Sequence, residues 1–246
     1  MLRLIVDLDP ADPAFGLALE EVLLESTRSG ADTLRFWVND RCVIVGRSQS
    51  VASEVDLPHL RELHIPVLRR ISGGGAVYHY PGNLNVSLYL GYGRELGDIS
   101  QTYETLGEAI ATALSQHAVA AHHDGNIIRV GCEKIAGAAQ ARRGASLLYH
   151  MSILIYPSKL PIDGLLLAMR TSYATEHVPS HPLPVRSLHE ISSVVTVASV
   201  VDRISERMSA ILGRRLQHGD YTQRELERAE RLRGEKYGRD EWNLLR

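Results

Sequence analysis

The stretch RRISGGGAVYHYPGNLN, residues 69–85, places three consecutive glycines after two arginines and shortly before a histidine. Ordering three glycines costs conformational entropy, so a fold keeps them where a side chain cannot fit. Backbone N–H groups in such a loop can form a nest for an anion, and Arg69 and Arg70 can add charge and bidentate donors. The same residues also suit a tight β-turn with two surface arginines, and this stretch alone leaves both interpretations open.

Strand-like residues flank the glycines on both sides. PVLRR (66–70) precedes them, LNVSLYL (84–90) follows them, and neither GxxxxGK[ST] nor GxGxxG occurs. Phosphate loops of the P-loop and Rossmann types need those patterns and a helix after the glycines. Both types are therefore excluded by pattern and by context.

The rest of the chain clusters its strands rather than alternating them with helices. TLRFWVN (33–39) and RCVIVGR (41–47) predict a hairpin joined at Asn39–Asp40. NIIRV (126–130) and SLLYHMSILIYP (146–157) predict two further strands with a polar, basic stretch between them, and the Pro-, Ser- and His-rich region 157–192 predicts irregular loops. Predicted helices lie within residues 12–29, 53–64, 100–117, 196–212 and 222–238. We therefore predict an α+β fold with mixed or antiparallel sheets and flanking helices.

Composition limits the classes of function. The chain has 246 residues, of which 44% are hydrophobic and 23% charged, as is typical of a folded globular protein. A net charge of −2 provides no general attraction for nucleic acid. Two cysteines argue against a disulfide scaffold and favour a reducing cytoplasm. No window approaches the roughly 18 apolar residues of a membrane helix, so we expect no membrane partner. Because the net charge is weak, we also expect no nucleic-acid partner.

A second segment rich in small residues, EKIAGAAQARRG (133–144), surrounds Lys134. A ligand could approach the backbone there, although a lone lysine is by default a solvated charge and small residues more often indicate tight packing. His79 and His150 each lie beside one of the two glycine-containing segments and are candidate site residues. The adjacent pair His122–His123 lacks the acidic or cysteine partners of a zinc site.

The two segments together resemble the signatures of the lipoate–protein ligase A family. RRISGGGAVYHYPGNLNVS (69–87) is similar to RRxxGGGAVYHxxGNLNxS. GCEKIAGAAQARRGASLLYHMSIL (131–154) is similar to the second signature, in which a lysine precedes small residues and a histidine follows. LRFWVNDRCVIVGRSQS (34–50) resembles the strand pair near the family's start, and KYGRDEWNLLR (236–246) resembles the KYxxxEWN motif that closes the catalytic domain. The matches imply the biotin/lipoate ligase catalytic-domain fold, while the GRGRxGR-type loop of biotin ligases is absent.

By this resemblance we expect residues 1–246 to be a single catalytic domain without the C-terminal accessory domain of longer members. The family joins lipoate, or octanoate, to AMP with release of pyrophosphate, and then passes the acyl group to a lysine of a lipoyl domain. The implied cofactors are ATP and Mg²⁺, with lipoate as the substrate. The implied partners are a lipoyl-domain acceptor and a separate small accessory subunit.

The resemblance also implies site residues. Lys134 takes the catalytic position, where it contacts the acyl carbonyl and the α-phosphate, and Arg70 is expected to neutralise charge beside it. For Mg²⁺ the family usually has Asn-Asp-Ile eight residues before the lysine; Ile127 replaces that aspartate, which leaves Asn126 and Asp124 as candidates. The residues expected to bind substrate and adenylate are Arg70, Ser72, Gly73, Gly74, Gly75, His79, Asn83, Gly137 and His150.

Two other functions remain open at this point. An octanoyltransferase of the same fold moves octanoate from acyl carrier protein through a cysteine thioester without ATP, and a non-catalytic subunit would only bind lipoate or a lipoyl domain. Cys132 does not stand where octanoyltransferases carry their cysteine, and Cys42 belongs to a strand predicted to be buried. The glycine signature and Lys134 count against a non-catalytic subunit, whereas Ile127 in place of the aspartate favours one.

Overall fold

Strands form two sheets, one large and one small, within residues 1–91 and 96–245, which are the residues that the computed structural model describes. Arg246, the last residue of the KYGRDEWNLLR stretch, lies outside the described residues. The strands are β1 Leu2–Ala11, β2 Thr33–Asn39, β3 Cys42–Val45, β4 Val67–Arg69, β5 Val77–His79, β6 Asn83–Gly91, β7 His122–Asp124, β8 Ile127–Val130, β9 Glu133–Arg143, β10 Ser146–Leu154 and β11 Leu216–His218. The helices are α1 Pro13–Ser26, α2 Val51–Glu54, α3 Leu57–Glu62, α4 Ile99–Ser115, α5 Ile162–Leu165, α6 Leu188–Ile191, α7 Val197–Leu212, α8 Gln223–Leu232 and α9 Asp240–Asn243.

The large sheet has the strand order β11-β1-β2-β6-β10-β9-β8-β7. β1 runs parallel to both of its neighbours, and the pairs from β2 to β7 are antiparallel. The small sheet has the order β4-β3-β5, with β3 parallel to β4 and antiparallel to β5. This mixed arrangement with flanking helices confirms the predicted α+β class.

Side-chain alternation gives the central strands one apolar face and one polar face. The odd-numbered residues of β10 from Leu147 to Ile153 belong to the core that α4 and α7 cover. His150 and Ser152 lie on the opposite face, where they line a cavity. The neighbouring strands β2 and β6 place further polar or amphipathic side chains on that side: Arg35, Trp37, Asn85 and Ser87. The polar face is therefore set by strand register rather than by one motif.

Helix α1 covers this polar face. Asp12 caps the helix by accepting a hydrogen bond from the Phe15 backbone N–H at 2.9 Å, and Pro13 stands in its first turn. The predicted helix over 12–29 is α1 followed by a short 3₁₀ turn. Residues 16–24 are all buried, including Glu20 and Glu21. Two buried carboxylates on one helix each require polar partners from elsewhere in the fold.

The C-terminal segment supports the strand that leads into the glycines. The region 222–238, predicted as a charged surface helix, is α8 followed by a π-helical turn that buries Tyr237. Beyond it, the Asn243 side-chain oxygen accepts a hydrogen bond from the Arg69 backbone N–H at 3.0 Å, and the Trp242 indole donates to the Arg69 carbonyl at 2.8 Å. The KYxxxEWN-like motif thus packs against the end of β4.

Two sequence-based predictions differ from the structure, and not every strand was predicted. The hairpin between 33–39 and 41–47 is wrong, because β2 already has β1 on one edge and β6 on the other, and β3 joins the small sheet instead. The polar stretch 133–143 is a strand, β9, because pairing with β8 and β10 overrides the low strand propensity of its alanines and glycine. β1 was not predicted at all. Among the described residues, we find no helix that combines the length and apolar character needed to cross a bilayer.

Candidate active site

A cavity of about 490 Å³ lies between the polar face of the large sheet, the small sheet and residues 178–185. This volume is in the range of binding sites for small molecules. Its walls combine a few cationic, amide and imidazole groups with many apolar side chains. Two predicted residues, Ser72 and Gly73, lie outside this lining. The predicted residues that line the cavity are Arg70, Gly74, Gly75, His79, Asn83, Asp124, Asn126, Lys134, Gly137 and His150.

Lys134 projects into the cavity from β9. Its ammonium has no hydrogen-bond or ion-pair partner within residues 1–91 and 96–245, and burial, followed by the charge of Arg70, lowers the pKa of the group. The backbone of Lys134 pairs with residues 178–185, which we call the covering segment, since its N–H donates to the Pro184 carbonyl at 2.8 Å. A Cβ on Gly137 would lie 2.6 Å from the lysine Nζ. The glycine therefore makes room for a cation that faces the cavity and that no acidic side chain neutralises in the described part of the chain.

Arg70 organises the glycine loop, which we define as residues 70–76. Its guanidinium donates to the carbonyl oxygens of Gly73 at 2.6 Å, Gly75 at 2.8 Å and Ile44 at 3.2 Å. Burial lowers the pKa of Arg70 to about 10. Gly74 has a φ of +85°, and its carbonyl oxygen would lie 2.0 Å from a Cβ on Gly46. The observed role of Arg70 is to hold the loop, and its contact with phosphate stays a prediction.

A buried carboxylate fastens the covering segment to the glycine loop. The Ser180 hydroxyl donates to Glu54 at 2.5 Å and accepts a hydrogen bond from the Ala76 backbone N–H at 2.9 Å. Gln49 donates to the same hydroxyl at 3.0 Å. A Cβ on Gly75 would lie 2.8 Å from the Ser180 Oγ, so the glycine allows this close approach. The predicted irregular region 157–192 thus contributes part of the cavity wall.

A chain of hydrogen bonds joins the glycine loop to α1. His150 Nε2 lies 2.7 Å from the Ser72 Oγ, and His150 Nδ1 lies 2.9 Å from a Glu20 carboxylate oxygen. The Ser87 hydroxyl also donates to Glu20, at 2.8 Å. Burial alone would raise the pKa of Glu20, but the charge of His150 and these hydrogen bonds outweigh it, so the pKa is lowered. Glu20 is therefore an ionised acceptor beside the His150 ring.

His79 forms a second and separate chain. The Asn39 amide nitrogen lies 3.1 Å from Nδ1, so that this ring nitrogen accepts, and Nε2 lies 2.7 Å from the Ser152 hydroxyl. Ser152 in turn donates to the Asn85 side-chain oxygen at 2.7 Å. Burial, with smaller effects of Arg70 and His150, lowers the pKa of His79 to about 3. His79 is accordingly a neutral wall of the cavity at physiological pH.

The two candidate Mg²⁺ ligands each have a partner within the protein. The Asp124 carboxylate pairs with Arg129 at 3.0 Å, and the Asn126 amide nitrogen donates to the Ala138 carbonyl at 3.2 Å. No group of three or more histidine, cysteine or acidic side chains that could hold a metal ion occurs in the described part of the chain. Ile127, at the family's usual aspartate position, contributes an apolar side chain to the cavity wall. Mg²⁺ is usually bound by one or two carboxylates together with substrate phosphates and water, so a Mg²⁺ site at Asp124 and Asn126 stays a prediction.

Neither cysteine meets the needs of a catalytic thiol. Cys42 is fully buried in β3, and burial raises the pKa of its thiol well above the ordinary value. Cys132 is exposed and does not line the cavity. A thioester mechanism needs a reactive thiolate within reach of the substrate.

Sequence reasoning missed several residues around the cavity. Glu20, Trp37 and Asn85 line it from α1, β2 and β6, and Glu54 fastens the covering segment. The run GLALEEVLLE (16–25) did contain a signal, since adjacent acids inside an otherwise apolar helix indicate buried charges with partners. Trp37 and Asn85 occur in ordinary strand patterns that give no comparable signal.

Comparison with known proteins identifies the family. The profile described as the lipoyl protein ligase A/B catalytic domain matches residues 12–209. An Aeropyrum pernix sequence provisionally assigned as lipoate-protein ligase A is 40% identical over 145 residues, which are 58% of this chain and 54% of that protein. This chain therefore spans about half the length of that relative. Lipoate-protein ligase A subunit 1 of Thermoplasma acidophilum is 28% identical over 254 residues, covering 98% of this chain and 96% of that protein.

Solved structures of related proteins superpose on almost the whole of this chain. A lipoate-protein ligase A bound with ATP superposes with a TM-score of 0.84 at 27% identity, covering 98% of both chains. A T. acidophilum protein provisionally assigned as a lipoate protein ligase, with bound lipoic acid, gives 0.83 at 27% identity over 99% of this chain and 98% of that one. A bi-partite ligase of T. acidophilum, described with its E2 lipoyl domain, gives 0.83 at 28% identity over 100% and 96%. The chain belongs to the lipoyl protein ligase A/B catalytic-domain family.

Proposed function

We propose that this chain is the catalytic subunit of a lipoate–protein ligase, which activates lipoate with ATP and passes the lipoyl group to a lysine of a lipoyl domain. The observation that carries the proposal is the Lys134 ammonium, which faces the cavity beside a loop of bare glycine backbone and has no acidic partner among the residues that the structure describes. An uncompensated cation in a partly buried cavity favours an anionic ligand. The proposal is supported by the lipoic acid and the ATP in the related structures.

The chemistry of both steps suits this cavity. Adenylation joins the lipoate carboxylate to the α-phosphate with loss of pyrophosphate, so two anions must be held in contact. Lys134 would stabilise charge on the phosphate and on the acyl carbonyl oxygen, and the glycines would let the acyl adenylate lie against the backbone. The covering segment held by Glu54 would limit the access of water to the reactive anhydride. Asp124 and Asn126 line the same cavity and would be the residues to hold Mg²⁺, which would neutralise phosphate charge when bound.

We infer two protein partners. One is the lipoyl domain that accepts the acyl group, as an E2 lipoyl domain is described together with the related two-part ligase. The other is a separate small subunit, since this chain matches subunit 1 of T. acidophilum over nearly the full length of both. Such a subunit would supply the closure needed for adenylation. Two free cysteines suit a reducing compartment, and we propose the cytoplasm as the location.

The decisive experiment follows transfer from supplied lipoyl-AMP to a purified lipoyl domain. We expect the wild-type chain to transfer the group, and Lys134→Ala to lose on the order of 100- to 1,000-fold in rate with an unchanged unfolding temperature. Lys159→Ala is the matched control, because Lys159 is exposed and lies outside the cavity. Normal transfer by a folded Lys134→Ala variant would contradict the site, and no transfer by the wild type would contradict the function.

The accessory subunit has its own test. We expect the purified chain alone to show little lipoate-dependent exchange of pyrophosphate with ATP, while it still transfers supplied lipoyl-AMP. Complete two-step ligation by this chain alone at about 1 s⁻¹ or faster would refute the need for a partner. Octanoyl transfer from acyl carrier protein without ATP would instead favour the octanoyltransferase function.

A further inference from the structure

Glu20 and His150 lie 130 residues apart in the chain and meet under the glycine loop. Glu20 is buried on α1, and His150 lines the same cavity as Lys134. The mechanism proposed above uses Lys134 and the loop but leaves this carboxylate–imidazole pair without a role. A serine, a histidine and an acid joined in sequence by hydrogen bonds are a recurrent arrangement for moving a proton.

The hydrogen-bond network places one proton on His150. Glu20 is an ionised carboxylate and only accepts, so Nδ1 of His150 carries a proton and donates it at 2.9 Å. The Ser72 Oγ accepts a hydrogen bond from the Arg70 Nε at 2.9 Å and lies 2.7 Å from Nε2 of His150. Because Nδ1 is bound to Glu20, Nε2 is the ring nitrogen that can take up a further proton.

Glu20 also accepts a hydrogen bond from a second side chain, Ser87. The Trp37 indole donates to the Ser87 hydroxyl at 2.9 Å, and Ser87 donates to Glu20. The charged or titratable groups around the His150 ring are Glu20 from α1, Arg70 from the glycine loop and His79 from β5. The strand neighbours of His150 are Ser87 on β6 and Ala139 on β9, which carry no charge. Glu20 is therefore the anion in contact with His150, and it stabilises a proton gained at Nε2.

We propose that His150 is the base that accepts a proton from the acceptor lysine in the transfer step, and that Glu20 is the positioning residue that holds His150 in the required tautomer. This inference rests on the proposed function. The neutral lysine amine attacks the acyl carbonyl, the C–N bond forms, and the C–O bond to phosphate breaks. AMP leaves with that electron pair. One N–H proton of the attacking nitrogen passes to Nε2 of His150, from which the Ser72 hydroxyl has turned away.

The test uses single-turnover transfer from supplied lipoyl-AMP to a purified E2 lipoyl domain, with binding of lipoyl-AMP measured separately. His150→Ala should transfer about 100-fold more slowly when lipoyl-AMP is saturating, so that any change in its binding does not enter the rate. Added imidazole should restore at least about tenfold of the lost rate, because the free base can enter the vacated space. A purely structural role of His150 would give no rescue by imidazole.

Glu20→Gln is nearly isosteric and keeps a hydrogen-bond acceptor, so it tests the charge even if His150→Ala fails to fold. We expect the acidic limb of its pH–rate profile to move to lower pH by about one to three units, because the neighbouring negative charge is lost. The matched control is Glu21→Gln on the same helix. Glu21 binds Arg143, Lys236 and Tyr237 outside the cavity, so its loss should lower stability without moving the profile.

The outcomes separate this inference from the proposed function. If the wild type transfers the group and His150→Ala does so within twofold of the wild-type rate, the base assignment alone is overturned. An unshifted acidic limb in Glu20→Gln overturns the positioning role, and an acyl adduct on Ser72 overturns both. A wild-type chain that neither binds lipoyl-AMP nor transfers the group refutes the proposed function and, with it, this inference.

Discussion

Gly137→Ala tests whether the position of the Lys134 ammonium matters, because the added Cβ would displace the ammonium without changing its charge. A Cβ on Gly137 would lie 2.6 Å from the Nζ and 2.7 Å from the Cε of Lys134, and apart from the adjacent residues of the chain no other described atom lies within 4 Å. Ordinary contact with a Cβ begins at 3.4 Å, so the ammonium must retreat by about 0.8 Å. The end of the lysine side chain is flexible, and the backbone of β9 can stay in place.

The expected effect is on rate rather than stability. A displacement of about 1 Å in a catalytic group can cost about 100-fold, which corresponds to roughly 2.7 kcal/mol in the barrier. The free energy of unfolding should stay the same or rise by up to about 1 kcal/mol, because alanine restricts the unfolded chain more than glycine does. The combination of slow transfer and intact stability distinguishes a displaced cation from a damaged fold.

The assay is single-turnover transfer from supplied lipoyl-AMP, with thermal unfolding in parallel. Gly234→Ala is the neutral control, since nothing lies within 4 Å of the added Cβ. Gly46→Ala is the damaging control, because its Cβ would lie 2.0 Å from the Gly74 carbonyl oxygen, a backbone atom, and should lower both stability and rate. Transfer by Gly137→Ala within threefold of the wild type would refute the reasoning, because the position of Lys134 would then not limit the rate.

Three further predictions concern the loop, the thiols and pH. Arg70→Lys should lower the unfolding temperature and slow transfer at least about tenfold, because one ammonium cannot donate to all the carbonyls that the guanidinium binds. Each buried carbonyl left without a donor costs about 1–3 kcal/mol. A normal melting curve of the variant would contradict this prediction. Cys132→Ser should transfer normally, and intact-mass spectrometry of the wild type should detect no acyl thioester; an adduct on either cysteine would favour the octanoyltransferase. Burial alone would raise the pKa of Glu225, but hydrogen bonds from Arg3 and the Thr222 backbone lower it to about 2 from 4.5. This stabilisation is complete above about pH 4.5 and is lost as the pH falls toward 2, so urea unfolding should show a steeper acid loss in the wild type than in Glu225→Gln.

Local patterns were enough to predict the fold class, and the resemblance to family motifs indicated the two segments that meet at the cavity. The three glycines follow the predicted strand at 66–70 but lead into β5, which was not predicted, and Gly74 and Gly75 line the cavity together with Lys134. These features depend on residue spacing and on backbone freedom, which the sequence carries directly. The same local reasoning missed β9, because alanine and glycine indicate no strand until two neighbours pair with it.

Tertiary structure alone decided which polar groups work together. Glu20, Ser87 and His150 come from α1, β6 and β10, and no pattern in one segment reports that they share a face. Arg70 carries a guanidinium group, which often binds phosphate, yet the turn of its own loop directs its donors to the carbonyls of Gly73 and Gly75. The physical reason is that strand register and helix packing bring distant residues into contact, and a buried polar group is defined by those contacts rather than by its neighbours in sequence.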